Sequence, residues 1–424
     1  MQLECSKMRP PGTVGVGTTA PAAGAFDIMS KIWCILDMMY KRMLSPVISS
    51  HNYSILLLGP RQTGKSTFLR NMRPDLELNF ADEKIFLEFS SDPERLRAML
   101  QAKKPRTIFI DEVQRLPSVL NTIQALIDQD KKKYRFLLSG SSARKLKRGQ
   151  ANLLPGRIIT YSLGPLNLLE TGNDRPLREL MSYGCLPGIV TEPNAKLKKA
   201  VLTSYAGTYL KEEIQAEALT KNIEGFSRFL LTAAAKNGEF LDYSKLASQS
   251  AISQKTASRF FEILEDTLIV RRLHSFASSD QRRLIKHPKF YFFDVGVLNG
   301  LLNNFTPSLD RIGGLFETLV VNQLADLVNS AGATARFSTY RTDRGAEIDL
   351  ILETDNGSFA IEIKASQNVG LTDLRYLRQF SLEHKKIRPL VAFLGDTALE
   401  KEGIAILPLP DVLNVVAESL EKLI

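Results

Sequence analysis

Cysteine is scarce in this chain: Cys5, Cys34 and Cys185 are an odd number, far apart, with no CxxC pair. That excludes a dense disulfide framework and fits a protein kept reduced in the cytosol. A long apolar run is also missing. The best stretch, after Phe26, is broken by Asp27, Lys31, Asp37, Lys41 and Arg42, well short of the ~20 residues a bilayer demands, so no membrane span is expected. Residues Met1–Ala25 lack the charged start and continuous apolar run of a secretory signal. Residues 1–27 therefore read as a disordered tail, with Met29 as an alternative start. Charge of one sign does not dominate: 55 Lys+Arg against 46 Asp+Glu gives +9 over 424 residues. That is a mild pull toward polyanions such as nucleic acid, nucleotides or an acidic membrane surface. There is no internal repeat.

Apolar residues at 44% and charged residues at 24% describe an ordinary globular chain, long enough for roughly two to four folding units. Ile32, Ile35, Leu36 and Met39 fall at helical spacing, so residues 28–50 are expected to form an amphipathic helix. Short apolar runs at Ile55–Leu58, Leu76–Phe80, Thr107–Asp111, Phe136–Ser139 and Ile158–Leu163 alternate with amphipathic stretches. This is the pattern of strands covered on both faces, and it predicts a parallel α/β sheet over 51–170. Residues 171–300 turn helical. Within them Tyr243–Ser250 and Ser253–Asp266, followed by Ile269–Leu273, have the order of a winged helix-turn-helix, or of a helical lid that buries Phe260, Phe261, Ile263 and Leu264. Residues 301–424 read as a smaller α/β unit, with a helix over Leu315–Asn329 and strands near Arg336–Tyr340, Glu347–Glu353 and Phe359–Lys364.

Gly59, Pro60, Arg61, Gln62, Thr63, Gly64, Lys65, Ser66 and Thr67 fit G-x-x-x-x-G-K-[ST], directly after an apolar strand and opening a helix. In that setting backbone N–H groups cradle the α- and β-phosphates of a nucleotide. Lys65 reaches the β- and γ-oxygens and the Ser66 hydroxyl takes a position on Mg²⁺. The strand 107–111 ends in Asp111 and Glu112, which an open α/β sheet points at the phosphate crevice. Asp111 is the expected partner of Mg²⁺, and Glu112 the base that orients the attacking water. The next strand ends in Ser139 and Ser141, equal candidates to sense the γ-phosphate; Arg144 and Arg157 follow as sources of positive charge, in cis or across a subunit interface.

The segments GPRQTGKST, IFIDEVQRLP, FLLSGSSARKL and GRIITYSLGPL, in this order, resemble the ATPase domain of a bacterial and archaeal group of AAA-related P-loop proteins that also carry a C-terminal domain resembling restriction endonucleases. The resemblance implies an ASCE-type ATPase using ATP and Mg²⁺, with Lys65, Ser66, Asp111 and Glu112 in the roles above and Arg157 at the family's Gly-Arg position. It implies no substrate beyond ATP.

In the last region Asp349, Glu362 and Lys364 form D-x12-E-x-K on two apolar strands. Residues i and i+2 of a strand share a face, and a hairpin brings Asp349 beside Glu362 and Lys364. Two carboxylates there could hold Mg²⁺ or Mn²⁺ and activate water against a phosphodiester. This pattern resembles the PD-(D/E)XK nuclease fold, and Glu317 matches the place of its helix acid. The expectation is thus an ATPase that couples ATP binding and hydrolysis to a nuclease-like domain. The alternatives are an ATP-held switch that binds DNA or a protein partner, and an ATP-controlled nuclease. The oligomeric state is left open.

Overall fold

The computed structural model describes residues 40–141, 154–172, 175–209, 222–276, 287–342 and 345–421. The tail expected over 1–27, most of the helix expected over 28–50, and Arg144 lie outside these residues. The described residues all belong to one unit, Tyr40–Ile424.

The first sheet holds five strands: β1 Ser54–Leu58, β2 Leu76–Asn79, β3 Thr107–Asp111, β4 Arg135–Gly140 and β5 Ile158–Ser162. Their order is β2-β3-β4-β1-β5 and every pairing is parallel. Alternate residues serve opposite faces. Ile55, Leu57, Phe109 and Leu137 pack with helix α1, Leu44–Ser49, and helix α2, Lys65–Arg70. Leu56, Leu58, Ile108, Ile110, Phe136 and Leu138 pack on the other face with helix α3, Val119–Gln129. Burial on both faces explains why these strands are apolar throughout. Because β4 lies between β1 and β3, the carboxyl ends of all three stand side by side.

Helices α4 Ile223–Ala235, α5 Tyr243–Gln249 and α6 Gln254–Asp266 follow, then β6 Val270–Ser275 and β7 Lys289–Phe292. Asp242 and Ser253 cap α5 and α6 through the N–H groups of Lys245 and Thr256, which sets the two helix starts. Helix α7 Ile312–Ser330 precedes β8 Ala335–Arg341, β9 Glu347–Thr354, β10 Gly357–Lys364, β11 Ile387–Phe393, β12 Leu399–Lys401 and β13 Ile404–Pro408, and α8 Leu409–Glu421 ends the described chain.

A domain boundary near residue 300 is expected from the sequence, but the structure joins the two sides. Strand β6 pairs antiparallel with β7 and parallel with β8, so an eight-stranded sheet runs β12-β13-β11-β10-β9-β8-β6-β7. One apolar core extends from Leu168 through Phe260, Phe292, Phe316 and Ile361 to Leu420. Phe260, Phe261, Ile263 and Leu264 are all buried in it, as the helical-lid reading expects.

Candidate functional site

The loop after β1 is built by close approach. A Cβ at Gly59 would overlap the Leu163 carbonyl, and Gly64 sits at φ 88, where a side chain is strained. Thr63, wholly buried, donates its hydroxyl to the Pro60 carbonyl at 2.8 Å. Lys65 is only 5% exposed, and its ammonium donates to the carbonyls of Gly59 and Pro60 at 2.8 and 2.9 Å.

Across the crevice, Asp111 at the end of β3 accepts a hydrogen bond from the Ser66 hydroxyl at 2.9 Å and another from the Ser139 hydroxyl. Arg70 lies 3.9 Å from its other oxygen. The loop, β3 and β4 are therefore tied at one carboxylate. Oxygen donors of this kind suit a hard cation such as Mg²⁺. Glu112 adopts the left-handed conformation at φ 55, and its N–H donates to Ser139 Oγ at 3.1 Å.

Gln114 went unnoticed in the sequence. Its buried amide donates both to the Glu112 carboxylate and, at 2.9 Å, to Ser141 Oγ. It orients the expected base and links it to β4. The available signal was its place three residues after Asp111, in the single turn Val113–Arg115 that follows β3, where a buried amide needs polar partners. Of the two serines held equal, Ser139 donates to Asp111, and Ser141 accepts from Gln114, which also bonds Glu112.

Arg157 is not brought to the crevice. It precedes Ile158, which pairs with Ser54 at the start of β1, whereas the phosphate loop follows Leu58 at the other end. Four residues of strand separate the two ends, about 13 Å. Its guanidinium instead grips Asp128 with bonds of 2.7 and 3.0 Å. A role in cis is therefore removed for this conformation; the family position alone did not say which end of β5 it occupies.

Helical residues cover the loop. Tyr205 donates to the Arg61 carbonyl at 3.4 Å, and the Pro187 ring lies beside Gly64. Arg42, buried, contacts the Thr63 carbonyl at 3.5 Å, the Gly164 carbonyl at 2.8 Å and Glu170 at 3.2 Å. Glu170 closes a capping box with Asn167, whose amide donates to the Gln323 carbonyl of α7 at 2.8 Å. A continuous polar path thus leads from the phosphate loop to the helix that backs the second sheet.

The C-terminal residues do meet. Glu362 and Asp349 are cross-strand neighbours on β10 and β9, one step beyond the Ile361–Leu350 pair. Lys364 Nζ lies 2.8 Å from Glu362, and the Ile363 N–H donates to Asp349 at 2.8 Å. Burial first, then Glu362 and Glu317, push the Asp349 carboxyl up to about 8; burial also raises that of Glu362. Glu317 joins them from α7. But β7 adds a residue that the motif did not contain. Lys289 Nζ lies 3.1 Å from Glu317, 2.8 Å from Glu347 and 4.0 Å from Asp349. Among the described residues no group of three or more His, Cys, Asp or Glu is placed to hold a metal ion. An ammonium thus already lies among the carboxylates where Mg²⁺ or Mn²⁺ was expected, while Glu362 Oε2 is buried without a hydrogen-bond partner.

A parallel sheet with a phosphate loop after β1 and acids at the end of β3, one strand removed across β4, defines the class: this is a mixed α/β protein whose parallel core resembles the P-loop NTPases. Residues 51–172 match the AAA domain family and form an AAA-type, P-loop ATPase-like domain. Residues 174–308 and 312–412 match two domains of unknown function, DUF8612 and DUF4143. Two curated mycobacterial proteins, Rv2008c of Mycobacterium tuberculosis and Mb2031c of Mycobacterium bovis, both described as uncharacterized, are each 27% identical over 349 residues, covering 81% of this chain and 76% of theirs. Replication initiator DnaA bound to AMPPCP and single-stranded DNA aligns with 57% of this chain and 87% of its own, at 10% identity and TM-score 0.24. Protein VC1899 from Vibrio cholerae aligns with 87% and 97%, at 13% identity and TM-score 0.21. Likenesses at such scores carry no argument. Among the described residues no helix is long and apolar enough to cross a membrane.

Proposed function

We propose that this protein binds Mg-ATP in the 59–67 loop, hydrolyses it, and passes the change to the second sheet. The observation that carries the reading is the meeting of Ser66, Asp111 and Ser139 at one carboxylate, which joins the phosphate loop to two neighbouring strand ends. The loop's backbone N–H groups and Lys65 bind the phosphates. Ser66 and Asp111 hold the magnesium, which when bound neutralises charge between the β- and γ-phosphates. Glu112 accepts the proton of the attacking water, with Gln114 fixing its carboxylate. Arg42, bonded to Thr63 at one side and paired with Glu170 at the other, supports transmission toward α7. Steady-state phosphate release tests this: Glu112→Gln is expected to retain ATP binding and lose turnover by about 10²- to 10⁴-fold. Undiminished turnover would remove Glu112 from the role; no turnover in the unaltered protein would leave a switch that holds ATP.

A second reading, for the partner, rests on the order of α5, α6, β6 and β7 together with the antiparallel bridge between Phe240 and Lys289. This is the order of a winged helix-turn-helix, and Lys255 and Arg259 are exposed on α6. DNA is the partner this order favours. Affinity for duplex DNA should then fall steeply with added salt; salt-insensitive association would point to a protein partner.

A further inference from the structure

The acids of the second sheet carry more than their sequence pattern implied. Lys289 enters them from β7, with its ammonium at 2.8 to 4.0 Å from Glu347, Glu317 and Asp349. Tyr291, two residues further along and therefore on the same face, donates its hydroxyl to Glu317 at 2.6 Å. The second ammonium, Lys364, rests on Glu362. Each of the four carboxylates thus has an ammonium within 4.0 Å, and Glu317 and Asp349 also accept from a phenol and a backbone N–H; Glu362 Oε2 alone of the Glu362 oxygens is buried without a hydrogen-bond partner.

Lys289 has nowhere else to go. It is 5% exposed, the Phe240 ring lies over its ammonium at 5.5 Å, and its backbone is paired with Leu273 on one side and bridged to Phe240. Burial opposes its charge, but Glu317, Asp349 and Glu347 more than offset this and hold its pKa above that of free lysine. A divalent ion needs the same carboxylate oxygens at about 2.0–2.6 Å. Placing it there would set a dication against a buried ammonium held by the same carboxylates.

We propose that Lys289 is the resident cation of this cluster: it fastens the β6–β7 hairpin to the C-terminal sheet by charge, and it excludes divalent metal ions from the site. The cluster then does not act as the metal site of a nuclease. The inference is independent of the ATP reading, and its test is made without nucleotide so that either can fail alone.

The test is a Mn²⁺ titration of the full chain, followed by the paramagnetic resonance of free Mn²⁺, with folding checked by circular dichroism. The unaltered protein and Asp349→Asn should retain equally little Mn²⁺ up to about 1 mM. Lys289→Met, which keeps the aliphatic stem, should gain a site at least about tenfold tighter that Asp349→Asn abolishes on the same background. A Mn²⁺ site in the unaltered protein that Asp349→Asn removes would overturn the proposal. So would a folded Lys289→Met that gains none. If Lys289→Met does not fold, Lys289→Gln takes its place, and the comparison of the unaltered protein with Asp349→Asn still decides whether metal is excluded.

Discussion

The two regions of this molecule each set lysine and acids at the ends of apolar strands, yet the charges are arranged oppositely. In the first, Lys65 donates to two neutral carbonyls, and Asp111 accepts from two hydroxyls with the Arg70 guanidinium 3.9 Å from its other oxygen. In the second, both lysines lie directly against carboxylates. Partners that are neutral can be exchanged for phosphate and Mg²⁺ without uncovering a buried charge, whereas an ion pair must be broken first. The first region is therefore arranged to receive charge from outside, and the second already sets two lysines of its own against four carboxylates.

The sharpest way to break this contrast is to remove one lysine from each region. Lys65→Ala is expected to weaken ATP binding by at least about 100-fold, about 2.8 kcal/mol, while Lys364→Ala leaves it within about twofold. Equilibrium binding of a fluorescent ATP analogue reads both; equal losses would merge what the charge arrangement separates. An effect of similar size is expected where the regions join. Asp326 of α7 is fully enclosed and paired with Arg271, and burial, opposed by Arg271 and Arg42, pushes its carboxyl up to about 6. The unfolded value is about 3.9, so the native state binds more protons between the two values. Stability from this group is present below about pH 4, falls as pH climbs to about 6, and is flat above. Asp326→Asn should remove that slope, worth up to about 3 kcal/mol, as read by urea unfolding across this range. Asp294, raised to about 6 mainly by burial, has the same sign and leaves a residual slope.

The first site was legible because its parts are contiguous. Nine residues after a strand specify the loop, and Asp111 and Glu112 announce themselves at the end of the apolar run 107–111. Arg157 falls at the far end of β5, which its place just before the run Ile158–Leu163 implies once the strands are parallel. What the chain order hid was reach. Gln114 carries no charge and so drew no notice, though it binds Glu112 to Ser141. In the second region the hairpin pairing of Asp349 with Glu362 followed from strand periodicity. Lys289 did not, since it stands sixty residues before Asp349 and in what reads as a different domain. Only the pairing of β6 with β8 brings it there.

The central claim is that the 59–67 loop is a nucleotide site, and calorimetric titration of Mg-ATP into the full chain tests it most directly. The account predicts a saturable heat with one nucleotide per chain that is absent from folded Lys65→Ala. No heat from the well-folded unaltered protein, or the same heat from both, would contradict it.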